Sequence, residues 1–373
     1  MDKMKKIFGK VREYVPIASL VIFGITLISI ILFTIFLISP AFADAFNRTV
    51  SAGCRFFFAK LTALFPTSFG EYVILSLPIT LFLVLRGVFR YMDNHRHGFA
   101  RSLFALLSAV GVLFSLFVFN FAAGYRGTTL DRKLPLERQD VSVAQLKATA
   151  MYITDRLNGL ADEVEFTSNG STRGYSHKET VDLAYESYET LSSEYAFIGN
   201  FKAPVKRLVV SNIMTYTHIS GVYSYFTGEA NLNTNYPEYV NVYTIAHEMA
   251  HQRGIARENE ANFIAYLVCI GSDDPYMQYA GYLNMLEYLT GAIAESSVED
   301  VRDIYRALDT RVYNDILIYS RFFQKYTDST ASKVTDKVND TYLVIQGTEG
   351  TRSYGMVVDL AVAYHAGDIQ ISD

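Results

Sequence analysis

The stretch TIAHEMAHQRGIARENEAN, residues 244–262, decides how this chain is read. It carries a His-Glu-x-x-His pattern at His247, Glu248 and His251, inside the apolar, helix-patterned segment 240–252. Residues four apart lie on one face of a helix, so both imidazoles can reach a single zinc ion while Glu248 points at a water activated by it. This predicts a zinc hydrolase, in the first place a peptidase, with Glu248 as general base. The plainer alternative is a helix whose histidines and glutamate share this spacing by chance.

Two imidazoles hold a catalytic zinc poorly, and a third protein ligand is expected beside an open position. Gly254 can adopt the left-handed conformation that ends a helix and lets the chain turn back. A metzincin would place its third histidine at position 257, which is Arg257 here, and guanidinium is not a zinc ligand. Glu258 and Glu260 both follow within a few residues, and the helix phase that would choose between them is open. Glu258 makes a small, polar stripe with Ala261, Asn262 and Ala265, able to pack on the first helix. Acidic residues also stabilise a helix start through its dipole, which would account for both without a metal.

The run Glu258-x-x-Ala261-Asn262 resembles the glutamate helix of gluzincin-type zinc peptidases. That resemblance implies Glu258 as the third ligand and Asn262 as the residue orienting a ligand histidine, with Glu260 the alternative ligand. Tyr354 and Arg352 are candidate stabilisers of the developing oxyanion. Residues 227–233, just before the His-Glu helix, read either as an edge strand that pairs with an extended peptide or as a plain loop.

The first third of the chain is of another kind. Segments 15–38, 72–91 and 99–121 are apolar and long enough to cross a bilayer, the second interrupted by Pro78 and Arg86. Lys3, Lys5, Lys6, Lys10 and Arg12 precede the first, and Arg86, Arg90, Arg96 and Arg101 surround the connection between the second and third. The positive-inside rule puts both basic segments in the cytoplasm, so three crossings of the cytoplasmic membrane leave everything after Tyr125 outside. Arg48, Arg55 and Lys60 are the weak contrary signal. Ala41-Phe42-Ala43 also resembles a signal-peptidase site, but cleavage after Ala43 would leave the downstream topology unchanged.

The organisation expected is a membrane domain of three transmembrane helices at 1–125, a polar linker at 126–141, and a mostly helical α+β zinc-peptidase-like domain at 142–373 with a small sheet. Its strands are predicted near 205–211 and 222–226. Its helices are predicted at 142–160, opening on a Ser142/Gln145 capping box, then at 177–195, 257–270, from Asp274-Pro275, 297–326, 331–346 and 353–364. Two distant cysteines make no disulfide framework, so the one zinc ion must be held by histidine and carboxylate. The net charge of −5 contains a basic membrane-proximal part, and nothing in the sequence suggests nucleic acid; a lipid bilayer and a peptide or protein substrate are the partners expected.

Further motifs join these: Phe226-Thr-Gly-Glu-Ala-Asn231, Thr244 through Gly254, Arg257 through Asn262, Asn339-Asp-Thr-Tyr-Leu343 and Ser353-Tyr-Gly355. Together they resemble the bacterial membrane proteins of domain-of-unknown-function family 3810. The resemblance implies an outward-facing zinc-metallopeptidase-like domain and no particular substrate. A second reading is a catalytically silent metal-binding or signalling membrane protein that keeps a peptidase-like outer domain.

Overall fold

The structure, a computed structural model, describes residues 10–136, 141–327, 329–346 and 356–369. It is mostly helical and divides into two compact units, one formed by Met1–Gly127 with Tyr225–Gly228, the other by Thr128–Ser224 with Glu229–Asp373.

The first unit contains helices α1 (Ile17–Ile38), α2 (Pro40–Phe46), α3 (Ala52–Thr62), α4 (Phe69–Asn94) and α5 (Gly98–Phe117). Three segments, Ile17–Ile38, Phe69–Asn94 and Gly98–Arg126, are long and apolar enough to cross a membrane. This marks the chain as a membrane protein. The second span is one helix: α4 runs unbroken through Pro78 and Arg86, and Ser68 caps it by accepting from the Glu71 N–H at 3.0 Å. Helices α1 and α5 pack edge-on through Phe23–Phe104 and Phe33–Phe114, and Gly111 keeps them close, since a Cβ there would lie 2.5 Å from Thr26 Oγ1.

Arg55 is buried in this unit, where its guanidinium donates to Asn47 Oδ1 and Asn120 O at 2.8 Å and to Asn47 O at 2.9 Å. Both asparagines lie in π-helical turns, Asn47–Ser51 and Val118–Ala122, where the widened ladder frees carbonyls for the buried cation. The short turn Tyr225–Gly228 belongs here too. Thr62 Oγ1 donates to Thr227 O at 3.2 Å, and Gly228, at φ +71°, lies so close to α3 that a Cβ would sit 2.7 Å from Ala59 N.

The second unit begins inside the stretch 126–141 expected as a linker. Leu130–Lys133 is a helical turn, and Leu130 and Leu134 are buried in the core, because alternate polar residues leave these two leucines one apolar face. Residues 137–140 lie outside the described part. Helix α6 (Val143–Leu160) opens with the predicted capping box, Gln145 N–H donating to Ser142 Oγ and Ser142 N–H to Gln145 Oε1. Helix α7 (His177–Glu194) follows. Strands β1 (Val205–Arg207), β2 (Gly221–Ser224) and β3 (Glu229–Leu232) form one sheet in the order β1-β3-β2. Strand β1 pairs parallel with β3 and β2 antiparallel to it, with Val222 opposite Asn231. Residues 227–233, read from sequence as an edge strand or a loop, therefore supply the central strand. The edge beside it is β2.

The rest is helical: α8 (Glu238–Gln252), α9 (Glu258–Ile270), α10 (Pro275–Ala294), α11 (Val298–Ala307), α12 (Thr310–Phe323), α13 (Thr330–Ile345) and α14 (Val357–His365). The single helix predicted over 297–326 is two, because Leu308 is extended and Asp309 caps the second by accepting from Arg311 N–H. Helices α6, α8, α9 and α10 enclose the core, with Ile153, Tyr239, Met249, Phe263, Tyr279 and Leu283 fully buried. Burial of each large apolar side chain contributes roughly 1.5–3 kcal/mol.

The turn after α8 sets the direction of α9. Gly254 has φ +93°, its N–H donates to His251 O at 2.9 Å, and the Ile255 N–H reaches back to Ala250 O at 3.1 Å. This six-to-one and five-to-two pair is a Schellman motif. Gly254→Ala should cost roughly 1–2 kcal/mol, since an L side chain is strained at that φ. Gly159→Ala on α6, where a Cβ meets nothing within 4 Å, should be neutral or stabilising. Thermal unfolding of the two variants checks this, and equal midpoints would contradict it.

Candidate metal centre

Helix α8 holds its functional face by contacts along its length. Tyr188 on α7 donates to Ala246 O and Tyr243 donates to Asn262 O, both at 2.6 Å, so the phenols tie α8 to the helices on either side. Ala246, Ala250, Ala261 and Ala265 are wholly buried and let α8 and α9 approach closely. Arg253, at the end of α8, is buried with its guanidinium 4.0 Å from the Tyr188 ring centre.

His247 and His251 lie one turn apart, rings perpendicular with centres 4.6 Å apart. The Schellman turn then delivers Glu258, the first residue of α9, to both. Its Oε2 is 3.3 Å from His247 Nε2 and its Oε1 3.5 Å from His251 Nε2. One ligand atom from each of the three residues lies within 4.8 Å of the others, and the group could hold a metal ion. His251 Nδ1 hydrogen-bonds to Ile255 O at 2.7 Å, which fixes the ring and leaves Nε2 facing the cluster. Asn262 lies beside His247, but His247 Nδ1 and Asn262 Nδ2 fall short of strict hydrogen-bond geometry.

Glu260 goes elsewhere. Its Oε1 accepts from Arg257 Nη1 at 2.8 Å and from the Leu130 N–H at 3.0 Å. Arg257 is the N-cap of α9, so Glu258 and Glu260 are its first and third residues, about 200° apart around the axis. Only one of them can face α8. Arg352 and Tyr354 lie outside the described residues.

Glu248 is buried, and its Oε2 has no hydrogen-bond partner among the described residues. Strand β2 passes directly over it: a Cβ on Gly221 would sit 2.6 Å from Glu248 Oε1 and 2.6 Å from Thr244 Cγ2. Gly221 was not singled out in the sequence, since nothing local distinguishes it from a turn glycine. Two further neighbours were also missed. Tyr223 on β2 stacks toward His251 with ring centres 6.5 Å apart, and Tyr288 on α10 has its pKa raised by burial and by the charge of Glu258.

The site is electrostatically polarised. Burial pushes the His247 pKa down, and the charge on His251 adds to this. Burial opposes charge on His251 as well, but Glu258 and then Glu248 outweigh it and push its pKa up to about 9. For Glu258, burial is overcome by the charge on His251 and by hydrogen bonds from both histidines, which hold the carboxyl well below its ordinary range. Glu248 is pushed up to about 8 by burial, with His251 opposing and Glu258 reinforcing. A buried carboxyl with a raised pKa and an open oxygen is the pattern of a proton-transferring group.

The family described as "Protein of unknown function (DUF3810)" matches residues 46–362. The chain belongs to this family. The DUF3810 match takes in α4, α5 and the whole His247–Glu258 cluster, and leaves α1 before it. No curated protein and no solved structure matches the chain.

The pKa shifts give a signed expectation for chelator-treated protein. Glu248 and His251 both have folded pKa values above their ordinary 4.5 and 6.5, so each contributes stability that is complete below its ordinary value and lost as pH rises through about 8 and about 9. Glu258 has the opposite sign, its contribution being lost only in acid. Thermal midpoints should therefore fall between about pH 6 and about pH 9, and fall less in Glu248→Gln. A flat or rising profile, or an unchanged one in the variant, would contradict this.

Proposed function

We propose that this chain is a membrane-anchored zinc metallopeptidase with a gluzincin-like second unit. The observation that carries the reading is the cluster of His247, His251 and Glu258 with the open, buried Glu248 carboxyl beside it. The Glu258 carboxylate approaches the two imidazoles through its two oxygens, Oε2 at 3.3 Å from His247 Nε2 and Oε1 at 3.5 Å from His251 Nε2, so a carboxylate and two ring nitrogens converge as a zinc site requires. A borderline nitrogen and oxygen donor set without thiolate suits zinc in a catalytic rather than a structural site. Zinc bound there would act as a Lewis acid on water and on the scissile carbonyl.

The chain's own residues supply the rest. Glu248 Oε2 receives the proton as water adds to the carbonyl carbon and releases it to the amine nitrogen as the C–N bond breaks. Burial raises the Glu248 pKa, which makes its ionised carboxylate a stronger base than an exposed glutamate. His251 is kept in one orientation by Ile255 O, and Asn262 flanks His247. Gly221 leaves the space above Glu248 free of a side chain, and β2, which carries it, is an edge strand of the sheet. The arginines at 86, 90, 96 and 101 around the α4–α5 connection support a cytoplasmic connection, and hence a second unit outside the cytoplasmic membrane.

The test is proteolysis of an unfolded protein substrate by the purified full chain. Glu248→Gln should retain zinc and lower the rate by roughly 10²–10⁴-fold. Gly221→Ala should retain zinc and lower the rate as well, because its Cβ displaces the Glu248 carboxyl. Equal cleavage by parent and Glu248→Gln would remove Glu248 as the base. Stoichiometric zinc with no cleavage of any substrate would favour a silent metal-binding role.

A further inference from the structure

Away from the metal cluster, the second unit contains a cavity of about 280 Å³. This is close to the lower end of the roughly 300–1,000 Å³ typical of small-ligand sites. Its walls carry four phenol rings, Tyr152, Tyr195, Tyr282 and Tyr364, with the carboxylates of Glu194 and Asp368 among them. None of the metal-cluster residues lines it.

Three features set its charge. Helices α7, α9 and α14 end at Glu194, Ile270 and His365, and residues at all three C-terminal ends line the cavity. Each helix C-terminus presents about half a negative charge. The two carboxylates add to this, and among the described residues no lysine or arginine lines the space. His365 does not offset it. It is buried between the Tyr266 hydroxyl at 2.7 Å and Asp368 Oδ2 at 3.3 Å, and burial lowers its pKa.

The rings favour the same sign. Aromatic faces attract cations, more strongly where water is excluded. One cation already adjoins this wall: the Arg156 guanidinium lies 5.7 Å from the centre of the Tyr282 ring, and its charge partly offsets the two carboxylates. Tyrosine faces, carboxylates and helix C-termini all reject an anion. A neutral polar ligand could donate to the helix-end carbonyls but would gain no attraction of net charge.

We propose that this cavity is a second binding site, for an alkylammonium or guanidinium group, carried either by a free amine or by a lysine or arginine side chain of a polypeptide. It is independent of the metal centre and of the peptidase reading.

Calorimetric titration of the full-length protein in detergent tests this, with cadaverine, agmatine, a blocked Gly-Lys-Gly peptide and neutral pentanediol as probes. The cations should bind saturably and the diol should not. Tighter binding of cadaverine would identify a free amine as the source, and tighter binding of the peptide a polypeptide side chain. Glu194 and Asp368 are exposed, so Glu194→Gln/Asp368→Asn should fold normally and weaken cadaverine by about tenfold or more. Tyr364→Phe should bind as the parent does, and Tyr364→Leu should bind more weakly. No saturable binding of any cation, diol binding equal to that of cadaverine, or unchanged affinity in the double variant or in Tyr364→Leu would overturn the proposal.

Discussion

The turn at Gly254 is the constraint on which the rest depends. A left-handed residue after Arg253 closes two hydrogen bonds, ends α8, and starts α9 with Glu258 against His247 and His251. The same turn exposes the Ile255 carbonyl that fixes His251. One backbone conformation thus sets the third acidic group and the orientation of an imidazole together. Without it, two histidines on one helix face would be a weak cation site.

Around this turn the protein holds polar groups in places where burial is costly. A buried carboxylate costs stability when ionised, and the raised pKa of Glu248 expresses that cost. Glu260 shows the contrasting solution. Its Oε1 is satisfied by a guanidinium and a backbone N–H, so it stabilises the entry of residues 128–136 into the fold. In the first unit, Arg55 follows the same rule, with three acceptors supplied partly by π-helical turns.

Much of this was legible in the sequence where a short-range rule decides the outcome. The three apolar segments, the Ser142 and Asp274 caps, the α8 face and the turn at Gly254 all follow from local pattern, and the structure has each of them. The preference for Glu258 rested on a likeness to the glutamate helix of gluzincin-type peptidases, and α9, whose phase Arg257 sets as N-cap, places Glu258 beside both histidines. The remainder depends on partners far along the chain. Strand β3 is only four residues long and is central because β1 and β2 pair with it, which its polar composition hides. Leu130 and Leu134 look like part of a polar linker until a distant core covers them. Gly221 matters only because α8 lies beneath it.

The central claim is that His247, His251 and Glu258 hold one divalent ion, with Glu260 left outside. X-ray absorption at the zinc edge, on full-length protein purified without chelator, tests it most directly when parent, Glu258→Gln and Glu260→Gln are compared. The account predicts one zinc per chain with two imidazoles and a carboxylate in the parent and in Glu260→Gln, and a weakened or altered site in Glu258→Gln. Zinc far below one per chain in the parent, a shell without imidazole, or a site lost in Glu260→Gln but intact in Glu258→Gln would contradict it.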